Sequence, residues 1–156
     1  MESLTRDEAL EILAGEYVAH LGVVSNGAPY VTPMSFVVDG DRILFRTVAG
    51  RKLDAIKANP TVCIEVSHYD EETGAWVSVI VDGTARLVAD GDAETRQATV
   101  ALIFDKYEKV MGPPLSAGGG LSPLGGYPQV IEVPIDRIAG MSSGRGMGAR
   151  TKPGRM

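Results

Sequence analysis

Apolar and polar positions in this chain alternate in short runs more often than they recur at helical spacing. Residues 17–25 alternate and are rich in valine, and Asn26-Gly27 follows, a pair that suits a two-residue hairpin turn with positive φ at both centres. The spacing predicts a returning strand over 28–38, a second turn at Asp39-Gly40, and a β-branched, aromatic strand over 43–47. A strand over 61–67 sets Val62, Ile64 and Val66 on one face and Cys63, Glu65 and Ser67 on the other. A long strand over 76–88, bent or bulged at Gly83, sets Val77, Val79 and Val81 against Trp76, Ser78 and Ile80. The last strand, 127–138, contains Pro134 and is expected at an edge or a bulge.

Helices punctuate this pattern. Thr5-x-x-Glu8 is a capping box for a helix that stops near Gly15. A short helix starts at Arg51-Lys52 and ends at Asn59-Pro60. Asp92 caps a helix over 93–110, where Val100, Ile103, Phe104, Tyr107 and Met111 recur at helical spacing. The Gly- and Pro-rich loop 112–126 is too long for a mere connector and suits a lid. Strands joined mostly by hairpins, with helices as plugs, predict a small antiparallel barrel. The Trp76 and Ile80 face is too apolar for free solvent and fits a subunit interface or a flat ligand, so a homodimer is expected.

Composition changes this picture little. Residues 1–143 are expected as one domain, and 44% hydrophobic with 22% charged residues is ordinary for a globular protein. No apolar run approaches the roughly 18 residues of a membrane span, and the start lacks the apolar core of a signal peptide. Cys63, the lone cysteine, excludes an intrachain disulfide, fits a cytoplasmic location, and is expected to pack rather than react. A net charge of −5 argues against a nucleic-acid partner. The charge is uneven: residues 144–156 form a Gly-rich tail with Arg145, Arg150, Lys152 and Arg155 and no acid, which leaves −9 on residues 1–143. The tail is solubilising, or it folds over an anionic ligand or a partner subunit.

The candidate chemistry is at residues 46–52. Cations at a helix N-terminus oppose its partial positive charge unless an anion sits there, and with free N–H groups beside them Arg51 and Lys52 make a phosphate site. A solvated basic turn reads equally well from these residues alone. No Ser-His-Asp arrangement or metal-ligand spacing is present, and His20 and His68 are expected to be structural or exposed.

Taken together, the G-x-P-x-x-x-P segment (Gly27, Pro29, Pro33), Phe45 to Leu53, the Asn59-Pro60 stop and the W-x-S-V-x-V-x-G strand (Trp76 to Gly83) resemble the pyridoxamine 5′-phosphate oxidase-like FMN-binding split-barrel superfamily, nearest its nitroimidazole-reductase-like branch. The resemblance is good over residues 5–90 and looser beyond. It implies a mainly β fold with some α, a six-stranded antiparallel split β-barrel with Greek-key connections and short flanking helices. It implies a homodimer with FMN at the subunit boundary: Arg51 and Lys52 on the phosphate with Arg46 and Thr47 beside them, Pro33, Met34 and Ser35 along the ring, and Trp76 and Ser78 approaching from the fifth strand, across the dimer if need be.

Departures narrow the activity. The tail lacks the Trp and His of the vitamin B6 oxidases, and Arg46 stands where the nitroimidazole-reductase-like branch often has His. Related actinobacterial barrels bind a deazaflavin with an acidic tail, an alternative cofactor that the basic C-terminus would suit. The expected function is an FMN-dependent oxidoreductase that moves electrons to a small planar substrate, with NADH or NADPH as reductant. The alternatives are a deazaflavin-dependent reductase and a non-catalytic flavin- or haem-binding protein.

Overall fold

The computed structural model describes residues 1–89, 91–111 and 129–144. Among them are β1 (Glu2–Ser3), α1 (Arg6–Gly15), β2 (Ala19–Ser25), β3 (Ala28–Met34), β4 (Phe36–Asp39), β5 (Arg42–Thr47), α2 (Arg51–Ala58), β6 (Thr61–Tyr69), β7 (Trp76–Thr84), β8 (Arg86–Leu87), α3 (Ala93–Met111), β9 (Gln129–Pro134) and β10 (Arg137–Ser142). They build two antiparallel sheets, β1-β10-β7-β6-β2-β3 and β4-β5-β9-β8. Leu21, Phe36, Phe45, Ile64, Val79, Val81 and Ile131 fill the space between the sheets, and the fold is a split barrel.

Six predicted strands become ten because three of them change sheet, and because β1 pairs with β10. Residues 28–38 break at Ser35 into β3 and β4. Residues 76–88 break at Ala85 into β7 and β8. The last predicted strand divides into β9 and β10 at residues 135–136. At the first corner Phe36 and Val37 are both buried, and at the third Asp136 and Arg137 are both exposed, so the alternation slips where the chain changes sheet. Gly83 is where β9 crosses closest: a Cβ there would sit 2.9 Å from Val133 Cγ1 and 3.2 Å from the Pro134 carbonyl oxygen. Pro134 ends β9 beyond the short β8, where its missing N–H breaks no ladder bond on that side.

The helices cover every apolar face but one. The Thr5 capping box of α1 is closed in both directions, and Ala9, Ile12 and Leu13 enter the core. Helix α2 adds Leu53, Ala55 and Ile56 to the same core. Asp92 caps α3, which lies over Val37, Leu44, Val88 and Val130 of the second sheet. Its buried stripe is Arg96, Thr99 and Ile103, whereas the expected Val100 and Phe104 are only half-buried. Among the described residues nothing covers the outer face of the six-stranded sheet, and Val31 and Tyr69 there are 61% and 62% exposed. The 112–126 loop, residues 127–128 of the last predicted strand, and the basic tail from residue 145 lie outside the described residues.

Lys106 sits in a cage of aromatic rings on the inner side of α3. Its Nζ lies 3.7 Å from the centroid of Phe36 and within 5.6 Å of Tyr17 and Tyr107, with no hydrogen-bond partner among the described residues. Burial lowers its pKa from the ordinary 10.5 to about 8, against a smaller opposing pull from Glu16. Beside it the Tyr107 hydroxyl accepts from the Phe36 N–H at 3.0 Å and donates to the Tyr17 carbonyl. The corner at Ser35 is thereby tied to α3.

Two measurements test this packing. Gly83→Ala should destabilise the fold by about 1–3 kcal/mol in urea unfolding, and Val133→Ala in the same chain should recover part of the loss. Lys106 binds its proton more weakly folded than unfolded, so its cost is present in full below about pH 8 and is relieved as pH rises to 10.5. Over that window the wild type should gain on Lys106→Met by about 2 kcal/mol, a full-burial value discounted for partial exposure. A flat difference would show that the aromatic faces keep the ammonium charged at its ordinary pKa.

Candidate functional site

Strand β5 ends at Thr47, and residues 48–50 deliver the chain to the first turn of α2. Gly50 has no side chain to cap the helix, so the first N–H groups of α2 lack that partner. Arg51 is held in place there: its Nε donates to Ser25 Oγ at 3.1 Å, and its guanidinium carbon lies 4.0 Å above the Tyr30 ring. No described hydrogen bond engages its two terminal nitrogens. Neither Arg51 nor the half-buried Lys52 has a carboxylate partner among the described residues. The turn therefore offers a forked donor, an ammonium and uncapped N–H groups, a donor set that fits an anion such as phosphate.

The other predicted residues are placed less uniformly. Thr47 is buried, and its hydroxyl donates to the Val48 carbonyl at 3.2 Å. Arg46 lies on the opposite face of β5, the face that carries Leu44 beneath α3, and burial lowers its pKa. The structure thus separates Arg46 from the direction Arg51 takes toward β2 and β3. Met34 turns its side chain into the core, which leaves its backbone for any ring contact, while Pro33 and Ser35 are exposed.

Pro33, Trp76 and Ser78 share the uncovered sheet face. Register runs Ile80, Glu65, His20, Pro33 straight across β7, β6, β2 and β3. Ser78 belongs to the next row, and Trp76 to the row beyond it at the strand end, opposite Tyr69. Three strand spacings, about 14 Å, separate β7 from β3, too far for one ring to touch both within a chain. The Trp76 backbone is fixed by Ser143, whose Oγ accepts from its N–H at 3.1 Å.

Sequence reasoning missed the partners within this face. Glu65 holds His20 Nδ1 at 2.9 Å with one carboxylate oxygen and accepts the Ser78 hydroxyl at 3.3 Å with the other. These residues are 45 and 13 positions apart, so only the register brings them together. Cys63 lies on the face opposite Val62, Ile64 and Val66, as the alternation predicts, and is exposed there beside Gly22. Nor did sequence show Ser25 and Tyr30 as the supports of Arg51.

Comparison with known proteins sets these features in a family. A FAD-binding protein from Mesorhizobium loti superposes with a TM-score of 0.71 at 22% identity, over 91% of this chain and 97% of that one. A FAD-binding protein from Mycobacterium smegmatis gives a TM-score of 0.61 at 25% identity, over 90% and 98% of the two chains. An uncharacterized protein of Rhizobium meliloti (strain 1021) is 26% identical over 80 residues, 51% of this chain, which spans about half (52%) of that relative's length. Residues 5–113 match the family described as pyridoxamine 5′-phosphate oxidase. With that match covering more than half of its length, the chain belongs to the pyridoxamine 5′-phosphate oxidase-like, flavin-binding split-barrel family.

Proposed function

We propose that this protein is a dimeric flavin-dependent oxidoreductase. The observation that carries the reading is the start of α2, where Arg51 and Lys52 have no carboxylate partner among the described residues and stand beside uncapped N–H groups. A phosphate there relieves the repulsion between two cations and a helix N-terminus. Arg51 offers it two terminal nitrogens, and Ser25 and Tyr30 supply the aim. The ring then lies along Pro33, the Met34 backbone and Ser35. Covering apolar surface of that size contributes several kcal/mol at roughly 25 cal/mol per Å².

The dimer follows from the width of the sheet. Trp76 and Ser78 are in the wrong place to meet the same ring as Pro33 within one chain, so they come from the partner subunit, with Ile80, Tyr69 and Met141 in the shared face. FMN satisfies the single phosphate site. FAD, which the Mesorhizobium and Mycobacterium smegmatis proteins are described as binding, would place its adenosine beyond it. A deazaflavin is the second cofactor reading, favoured by the basic tail. When bound, the flavin supplies two-electron transfer, and the protein positions the ring and a small planar acceptor against it.

The absorption spectrum of the purified protein separates these readings: two bands in the near-ultraviolet and blue for a flavin, one in the violet for a deazaflavin. A protein that takes up neither overturns the proposal. Arg51→Ala and Lys52→Ala should each weaken flavin binding by roughly 10–100-fold at an unchanged circular dichroism spectrum, since each removes a charge-assisted bond. Retention at wild-type affinity would place the phosphate elsewhere. Sedimentation should give twice the chain mass, and a monomer that still binds flavin would overturn the shared site.

A further inference from the structure

The sheet face left open by the described residues carries one cluster centred on His20 and Glu65, to which the flavin site above gives no role. His20 Nδ1 is 2.9 Å from one oxygen of Glu65, and the other oxygen accepts the Ser78 hydroxyl at 3.3 Å. With both carboxylate oxygens engaged, the neutral imidazole is held with its proton on Nδ1. Its Nε2 remains available on the outer side of the sheet. In register, His20 sits directly beside Pro33, the first residue of the strip along which the ring is expected to lie. We propose that His20 is the proton donor to the acceptor, and that Glu65 and Ser78 are positioning residues that fix its tautomer and direction.

The proposal rests on the flavin reading above and adds the proton to it. Reduction of a planar quinone-type acceptor needs a hydride and a proton. The hydride comes from flavin previously reduced by an external hydride donor. The proton leaves Nε2 of the His20 imidazolium for the oxygen that gains negative charge, and solvent restores it afterwards. A carboxylate on Nδ1 keeps the ring oriented before and after the transfer. The groups facing His20 are few. Strand β3 brings Pro33 and Val31, β2 itself Gly22, and β6 Glu65 with Cys63 one register pair along. Beyond them on β7, Asp82 is paired in register with Arg137 of β10. Glu65 is thus the only carboxylate beside the ring among the described residues.

The test uses flavin-loaded protein reduced with dithionite, then reoxidised either by a quinone, which takes protons, or by ferricyanide, which takes electrons alone. His20→Asn should lower the quinone rate relative to the ferricyanide rate by at least roughly 100-fold. Glu65→Gln should lower it less and move its pH profile, and His20→Gln serves if the Asn variant fails to fold. Nitrogen-15 spectra give a readout independent of turnover, since His68 is the only other histidine. The wild-type His20 ring should show the Nδ1–H tautomer, Glu65→Gln should lose that bias, and added flavin should shift the His20 nitrogen signals. A quinone-to-ferricyanide ratio unchanged in His20→Asn, or His20 nitrogen signals indifferent to bound flavin, overturns the proposal. Failure of the wild type to bind any flavin overturns instead the reading on which it rests.

Discussion

Three segments that cross from one sheet into the other hold this fold together. Each crossing must leave one hydrogen-bond ladder and join another without stranding backbone groups. At Ser35 the Phe36 N–H is met by the Tyr107 hydroxyl, which in turn donates to the Tyr17 carbonyl. At Ala85 the N–H donates to the Pro60 carbonyl at 2.8 Å, and the nearby Gly83 makes room for β9. At residues 135–136 the Ile135 N–H donates to Asp41 at 2.7 Å. With the corners satisfied, two sheets share one core, and α1, α2 and α3 cover the other apolar surfaces. What remains is a single broad face on the six-stranded sheet, and the candidate site begins at its edge.

The elements were legible where the signal is local. The Asn26-Gly27 turn, the Thr5 capping box, the Asn59-Pro60 stop and the Asp92 cap each depend on residues within a few positions, and each is present. So is the alternation of β6 and β7. The corners were not legible in full, because no Gly-containing turn pair marks Ser35 or residues 135–136. Gly83 marked one of them, since glycine in a strand implies a close approach. The buried stripe of α3 was misread for a different reason: the surface beneath it includes Arg46 and Glu132, so Arg96, Thr99 and Lys106 turn inward where apolar residues were expected. At the site, the cations at 51–52 could be read from their position on the helix. Their supports and the Glu65 cluster depend on register between distant strands, which no short window contains.

Charge satisfaction separates the cations that the fold accounts for from those that it does not. Glu132 is buried to 8% exposure and lies 2.7 Å from Arg86 and 3.6 Å from Arg42. Leaving that carboxylate unpaired would cost several kcal/mol, so those arginines are accounted for by the fold. Arg51 and Lys52 face no such carboxylate among the described residues. Arg51 is nonetheless ordered by a hydroxyl and an aromatic face, two contacts that leave its charge intact. Restricting a long side chain without neutralising it has an entropic cost and little return within the chain alone. That cost is recovered only when an anion arrives, which is why the geometry favours a binding site over a solvated turn.

The outer face makes sense by the same reasoning. In the isolated chain the His20–Glu65 pair is partly open, with side-chain exposures of 47% and 33%, and an ion pair of that kind is worth little in water. Under the proposed flat ring and second subunit the surroundings would become apolar, and the same hydrogen bonds would strengthen as the local dielectric falls. A carboxylate left alone there would be costly, whereas one that holds an imidazole and a hydroxyl is satisfied on both oxygens. An array of this kind gains little from being exposed and a good deal from being covered. Ile80 and Pro33, on either side of the pair in its row, are apolar, so the polar pair between them can be covered without leaving its neighbours short of hydrogen-bond partners.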